Sequence, residues 1–183
     1  TVDPKEFAKF SPNGIIFSGS PESANTADSP RAAEFLYEAG IPILGICYGM
    51  QSMADHFGGI VEASDKSEFG YARVNVTKPN RLFEDIQDHV SQDGQPQLDV
   101  WMSHGDKVTG LPPGFDLIAA TASAPIAAMC NEEKSFYGLQ FHPEVTHTLQ
   151  GEAILKRFVN DICGCESLWT SASIIEDAIQ KVR

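Results

Sequence analysis

Apolar and polar positions along the chain fall into two regimes that meet near residue 60. In the first, compact apolar runs alternate with stretches of helical spacing. Pro4 to Phe10 forms a short amphipathic turn, and Ser11-Pro12-Asn13-Gly14 is a turn signal ahead of Ile15-Ile16-Phe17. That run predicts a short buried strand, closed by the small-residue turn Ser18-Gly19-Ser20-Pro21. Ser29-Pro30 pairs an N-cap residue with a proline suited to the first helical position, and predicts a helix through Ala39 that Gly40 stops. A second apolar strand is expected over 41–45, then a sharp turn, then a helix-capable run from Met50 to Phe57 that ends at Gly58-Gly59. Alternating strands and helices with apolar strands are the grammar of a parallel sheet with helices on its faces.

Beyond residue 60 the apolar runs shorten and turn residues crowd between them. Six short strands are predicted: Ile60–Glu62, Ala72–Val76, Leu98–Met102, Leu117–Thr121, Ile126–Met129 and Phe136–Phe141. Lys78-Pro79-Asn80, Asp93-Gly94, Pro112-Pro113-Gly114 and Asn131-Glu132-Glu133-Lys134 separate them, so this half should be largely antiparallel or mixed. Gln150 to Ile162 predicts an amphipathic helix, with Ile154, Leu155, Phe158, Val159 and Ile162 on one stripe. Cys163 to Ser167 reads as a linker, and a further helix is expected from Ala172 to Val182.

Composition narrows the function classes. With 183 residues and 42% hydrophobic content, the chain can bury a core of its own. A formal net charge of -12, scattered rather than blocked, repels nucleic acid phosphates and anionic membranes, so neither is expected as a partner. No apolar run approaches the roughly 18 residues of a membrane span, and no signal peptide is visible. The four cysteines, Cys47, Cys130, Cys163 and Cys165, make no disulfide framework, and Cys163-Gly164-Cys165 is too close-set for an ordinary bridge or a metal knuckle. Free thiols, a reducing cytoplasm and no metal site are the expectation.

The candidate chemistry begins at Gly45-Ile46-Cys47-Tyr48-Gly49, where a strand turns sharply into a helix with a cysteine at the turn. This is the thiol form of the nucleophile elbow: flanking glycines remove side chains where backbone passes close to backbone, and the helix amino end favours a thiolate. Taken alone, Cys47 reads equally as a buried structural thiol after a core strand. A nucleophile needs a base, and the base needs an orienting group. Among five histidines, His142 follows an apolar strand and has Glu144 two residues on, with Pro143 stiffening the turn between them. Ser18-Gly19-Ser20-Pro21, at a strand's carboxyl end, offers backbone N–H groups to an anion.

Gly14 to Pro21, Ile43 to Gln51 and Gly138 to Glu144 together resemble the motifs of class I (triad) glutamine amidotransferases, in the right order. Within that class Glu68 to Ala72, Val100 to Val108 and His142 to Thr148 are most similar to the amidotransferase part of bacterial-type two-domain GMP synthetases. The resemblance implies an α/β fold: a three-layer, open mixed sheet, parallel at its centre, with helices on both faces and an antiparallel extension. It implies L-glutamine as substrate, Cys47 as nucleophile, His142 as base and Glu144 as its orienter. Backbone N–H groups of Ser20 and Tyr48 would hold the oxyanion, and Gly19, Gln51, Ser103 and His104 would grip the glutamine. Ser20 stands where the family commonly has a second glycine, a place where a positive φ would be uncomfortable for serine.

The same resemblance implies residues 1–162 as the glutaminase domain, without the strand, helix and strand that usually precede the position of Thr1. Residues 163–183 would be a linker and first helix of an ATP-pyrophosphatase domain, the partner that would carry ATP and magnesium. The glutaminase part would need no cofactor. Three alternatives stay open here: the amidotransferase component of another biosynthetic enzyme, a related γ-glutamyl thiol hydrolase, and an inactive docking or regulatory fragment.

Overall fold

The computed structural model describes residues 2–166 apart from Asn25 and Ala27. The helix expected from Ala172 to Val182 lies outside the described residues. The elements are α1 (Pro4–Phe10), β1 (Ile15–Phe17), α2 (Glu34–Tyr37), β2 (Ile43–Ile46), α3 (Tyr48–His56), β3 (Ile60–Val76), β4 (His89–Val90), β5 (Pro96–Gly110), β6 (Asp116–Ala120), β7 (Ala128–Asn131), β8 (Phe136–Leu139) and α4 (Gly151–Lys156), which runs on as a π-helix over Arg157–Ile162. The eight strands form one mixed sheet in the order β1-β2-β8-β7-β6-β3-β5-β4. β1, β2 and β8 pair in parallel, and every later neighbour is antiparallel. Among the described residues the parallel strands therefore sit together at one end of the sheet, with the antiparallel strands extending from them.

Alternation along the strands divides the core between two faces. Ile43 and Phe136 pack with Tyr37 of α2 and with Met50, Met53 and Ala54 of α3. Their neighbours Leu44 and Tyr137 point the other way, onto Ile154 and Phe158 of the closing helix. Met50, Met53 and Ile154 are fully buried, each removal from water stabilising the fold by about 1.5–3 kcal/mol. Helices thus cover both faces, as the α/β pattern implies.

Three local expectations change. The helix expected from Ser29-Pro30 shrinks to Glu34–Tyr37, with no side-chain cap at Ala33. Ser29 cannot cap it, because its hydroxyl turns back to donate to the Ser23 carbonyl. The strands expected at 60–62 and 72–76 are one strand of 17 residues. The intervening polar residues stay in the strand because β5 runs alongside, with a register shift between Ala63 and Glu68. The predicted helix to Ile162 exists, but its second half is a π-helix. Among the described residues, no helix is long and apolar enough to cross a membrane.

Candidate active site

β2 ends at Ile46 and α3 begins at Tyr48, so Cys47 alone makes the turn. It does so with φ 50° and ψ -107°, a conformation that residues with a side chain rarely adopt. The cost is met by fixed neighbours. The Cys47 N–H donates to Leu139 O at 2.7 Å, and Cys47 O accepts from Gln51 N at 3.1 Å. The flanking glycines let three backbone segments touch: a Cβ at Gly49 would lie 2.2 Å from Phe17 O, and one at Gly45 would lie 2.7 Å from the Gly49 carbonyl. The thiol donates to Ser103 O at 3.5 Å. Gln140, fully buried, donates to Cys47 Sγ from Nε2 at 3.7 Å.

The chain leaves β8 through buried Gln140 and Phe141 and reaches His142. His142 N–H donates to Trp101 O of β5 at 3.0 Å. Its Nδ1 is 2.6 Å from Glu144 Oε1, which leaves Nε2 as the second ring nitrogen. Nε2 is buried and makes no hydrogen bond of good geometry among the described residues. Cys47, and after it Glu144, push the imidazole pKa up to about 10 against the opposing effect of burial. Partial burial pushes the Glu144 carboxyl up, but the hydrogen bond from His142 outweighs it and the net pKa is lowered. Gly19 stands between base and thiol: a Cβ there would be 3.2 Å from His142 Cε1 and 3.8 Å from Cys47 Cβ.

These groups open onto one cavity of about 610 Å³, which also contains Ser20, Gln51, Ser103 and His104. Eight of the nine residues expected in the site line it. Tyr48 does not: its side chain turns away and its hydroxyl donates to Pro30 O at 2.5 Å. The Tyr48 N–H, first in α3, belongs to the donors that a helix leaves without an internal partner. Ser20 keeps a negative φ, so the glycine it replaces is not required for backbone freedom. Gln51 is buried, with Nε2 donating to Asp106 O at 2.7 Å. Burial holds the His104 pKa below its ordinary value although Glu68 pulls the other way, its Oε2 3.4 Å from His104 Nε2.

Several residues of the site were not singled out as such in the sequence. Asp106 Oδ2 accepts from Ser23 Oγ at 2.5 Å and from Ala24 N at 3.1 Å, tying β5 to the loop after β1. Phe69 lines the cavity, and Gln140 touches the thiol. All three lie inside the recognised motifs, so motif membership was the available signal; periodicity carried none.

A family model, Glutamine amidotransferase class-I, matches residues 1–162. The chain belongs to that family. The amidotransferase is also similar to proteins named GMP synthase [glutamine-hydrolyzing]. It is 58% identical to that of Tolumonas auensis and 60% identical to that of Proteus mirabilis, over 182 residues in each case. Both alignments cover 100% of this chain and 35% of the relative, so the chain spans about a third of the length of the curated relatives it matches. Among solved structures, a GMP synthase subunit protein from Thermoplasma acidophilum is 33% identical, with a TM-score of 0.63 over 80% of this chain and 65% of that one. A glutamine amidotransferase from Thermotoga maritima is 26% identical, with a TM-score of 0.53 over 70% of this chain and 49% of that one.

Proposed function

We propose that this chain is the glutaminase part of a GMP synthase. It hydrolyses glutamine to glutamate and ammonia, and the ammonia aminates adenylylated xanthosine monophosphate on an ATP-pyrophosphatase domain of the same enzyme. The observation that carries the glutaminase reading is a thiol on a strained elbow, opening into the same cavity as a histidine whose far nitrogen is held by a carboxylate. The identity of 58–60% to named GMP synthases across this chain supports the finer assignment.

The chemistry uses this chain's residues alone. His142 takes the Cys47 thiol proton and becomes an imidazolium, the form that Cys47 and Glu144 favour by pushing its pKa up to about 10. Cys47 sulfur attacks the side-chain carboxamide carbon of glutamine, and the carbonyl oxygen takes the negative charge. Backbone N–H groups of Ser20 and Tyr48 stabilise that oxyanion; one such donor is typically worth about 3–4 kcal/mol of barrier. The C–N bond breaks as His142 gives its proton to the departing nitrogen, releasing ammonia and leaving a γ-glutamyl thioester on Cys47. Water then attacks the thioester, His142 takes its proton, and the C–S bond breaks to give glutamate and the free thiol. Glu144 holds the ring through Nδ1 throughout and stabilises its charge whenever it is the imidazolium. Gly19, Gln51, Ser103 and His104 grip the amino-acid end.

This half-reaction needs no cofactor; ATP and magnesium belong to the synthetase domain. A cytoplasmic enzyme fits the free thiols. The test is intact mass after incubation with diazo-oxo-norleucine, a glutamine-like electrophile. One adduct at Cys47, blocked by glutamine, is expected, and Cys47→Ala should lower ammonia release at least ~10⁴-fold. Ammonia release from Cys47→Ala near the parent rate sinks the assignment. Addition of the synthetase domain with ATP and xanthosine monophosphate should then yield GMP.

A further inference from the structure

His142 lies beyond the last ladder pair of β8, so no ordinary sheet pairing holds its carbonyl. A side-chain hydroxyl takes that place. Thr148, only 4% exposed, donates from Oγ1 to His142 O at 2.6 Å. The same oxygen accepts from Trp101 N at 3.1 Å, using the hydroxyl as donor and acceptor together. Trp101 O in turn accepts from His142 N at 3.0 Å. The backbone donor and acceptor of both Trp101 and His142 are therefore closed in one ring, with Thr148 Oγ1 completing it.

The strand at the other side of that ring also holds the nucleophile. Ser103, two residues along β5 from Trp101, accepts the Cys47 thiol hydrogen through its carbonyl at 3.5 Å. The Thr148 segment is itself tied to β5: Leu149 N donates to Asp99 O at 3.2 Å, and the His147 ring packs on Trp101 with centroids 4.5 Å apart. Gly151 closes the back of the loop, since a Cβ there would lie 2.0 Å from Pro143 O.

We propose that Thr148 is a positioning residue for the thiol–imidazole pair: its hydroxyl locks the His142 backbone to the β5 strand that holds Cys47, and so sets the imidazole against the sulfur. This rests on the reading of Cys47, His142 and Glu144 as the glutaminase centre. A misplacement of about 1 Å in such a pair costs on the order of 100-fold in rate. Glutamine binding uses other groups of the cavity, so the loss should fall on kcat.

The experiment compares Thr148→Val, which keeps the shape and removes the hydroxyl, with Thr148→Ser, which keeps the hydroxyl. Glutamine hydrolysis is measured per active site, with sites counted by the diazo-oxo-norleucine adduct. The expected result is a kcat lower by ~10- to 100-fold in the valine variant, little change in KM, and near-parent turnover in the serine variant. If the valine variant does not fold, Thr148→Ala removes the hydroxyl without setting a methyl against Trp101 N, and the same loss is expected. Parent-like kcat per site in the hydroxyl-less variants overturns the inference, as does a serine variant as slow as valine. A parent chain that neither hydrolyses glutamine nor takes an adduct, with or without the synthetase domain, overturns the underlying reading instead.

Discussion

The parallel end of the sheet and its antiparallel arm contribute to the site in different ways. β1, β2 and β8 run in one direction, so their carboxyl ends lie at one edge. Gly19, Cys47 and His142 follow those three ends in turn, and convergence of reactive groups there is a property of parallel strands. The β3–β5 pair supplies no reacting atom. It brings Phe69, Ser103, His104 and Asp106 to the cavity by length, from the middle of a long ladder. One region sets the chemistry through the turns at its strand ends, of which that at Cys47 is strained; the other holds and walls it through backbone hydrogen bonds and buried polar contacts.

Substitutions on the two sides should therefore fail differently. The largest effect is expected from Gly49→Ala, whose methyl would sit 2.2 Å from Phe17 O and wedge α3 off β1. A stability loss of about 3 kcal/mol, with activity lost alongside, is the expectation for such overpacking; a parent-like melting curve would break the account of the elbow. Next, Glu144→Gln keeps a neighbour at His142 Nδ1 but removes the charge. A fall of about 100-fold in kcat is expected. The alkaline limb of the pH–rate profile should move to lower pH, because one of the two groups that push His142 up to about 10 is lost.

On the arm, Asp106→Ala releases Ala24 N and Ser23 Oγ from β5. The outcome should be a KM for glutamine raised about fivefold, the equivalent of about 1 kcal/mol, with kcat largely kept. A collapse of kcat instead would erase the division between the two regions. The smallest signal is a pH trend. His142 has a pKa raised from 6.5 to about 10, so its stabilising contribution is full below about pH 6.5 and is lost as pH rises through about 10. Melting temperatures should fall more steeply from pH 7 to 10 in the parent than in His142→Asn.

Much of this arrangement was legible in the residues alone. The elbow glycines, the apolar strand leading to Cys47 and the stiff His-Pro-Glu turn are local features, and local sterics decide them. Of the β3–β5 arm, the strands predicted at 60–62, 72–76 and 98–102 were legible, but the stretches that join or extend them were not. Glu68 to Gly70 and Ser103 to Lys107 have no apolar alternation, and they are strand because β3 and β5 supply backbone partners to one another. Ser29 misled for the same kind of reason: its N-cap chemistry was real, but the loop carbonyl of Ser23 competed for the hydroxyl.

By itself the sequence determined the α/β character, the turn that carries the nucleophile, the pairing of a histidine with a carboxylate two residues on, and the family. Those depend on residues near one another in the chain. Tertiary structure alone decided that the parallel strands gather at one end of the described sheet and that Gln140 faces the thiol. It also decided that Asp106 ties the arm to the β1 loop and that the Thr148 hydroxyl closes the ring behind His142. Each of these is a contact between segments far apart in sequence or a choice among competing hydrogen-bond partners, and only packing settles which partner is within reach.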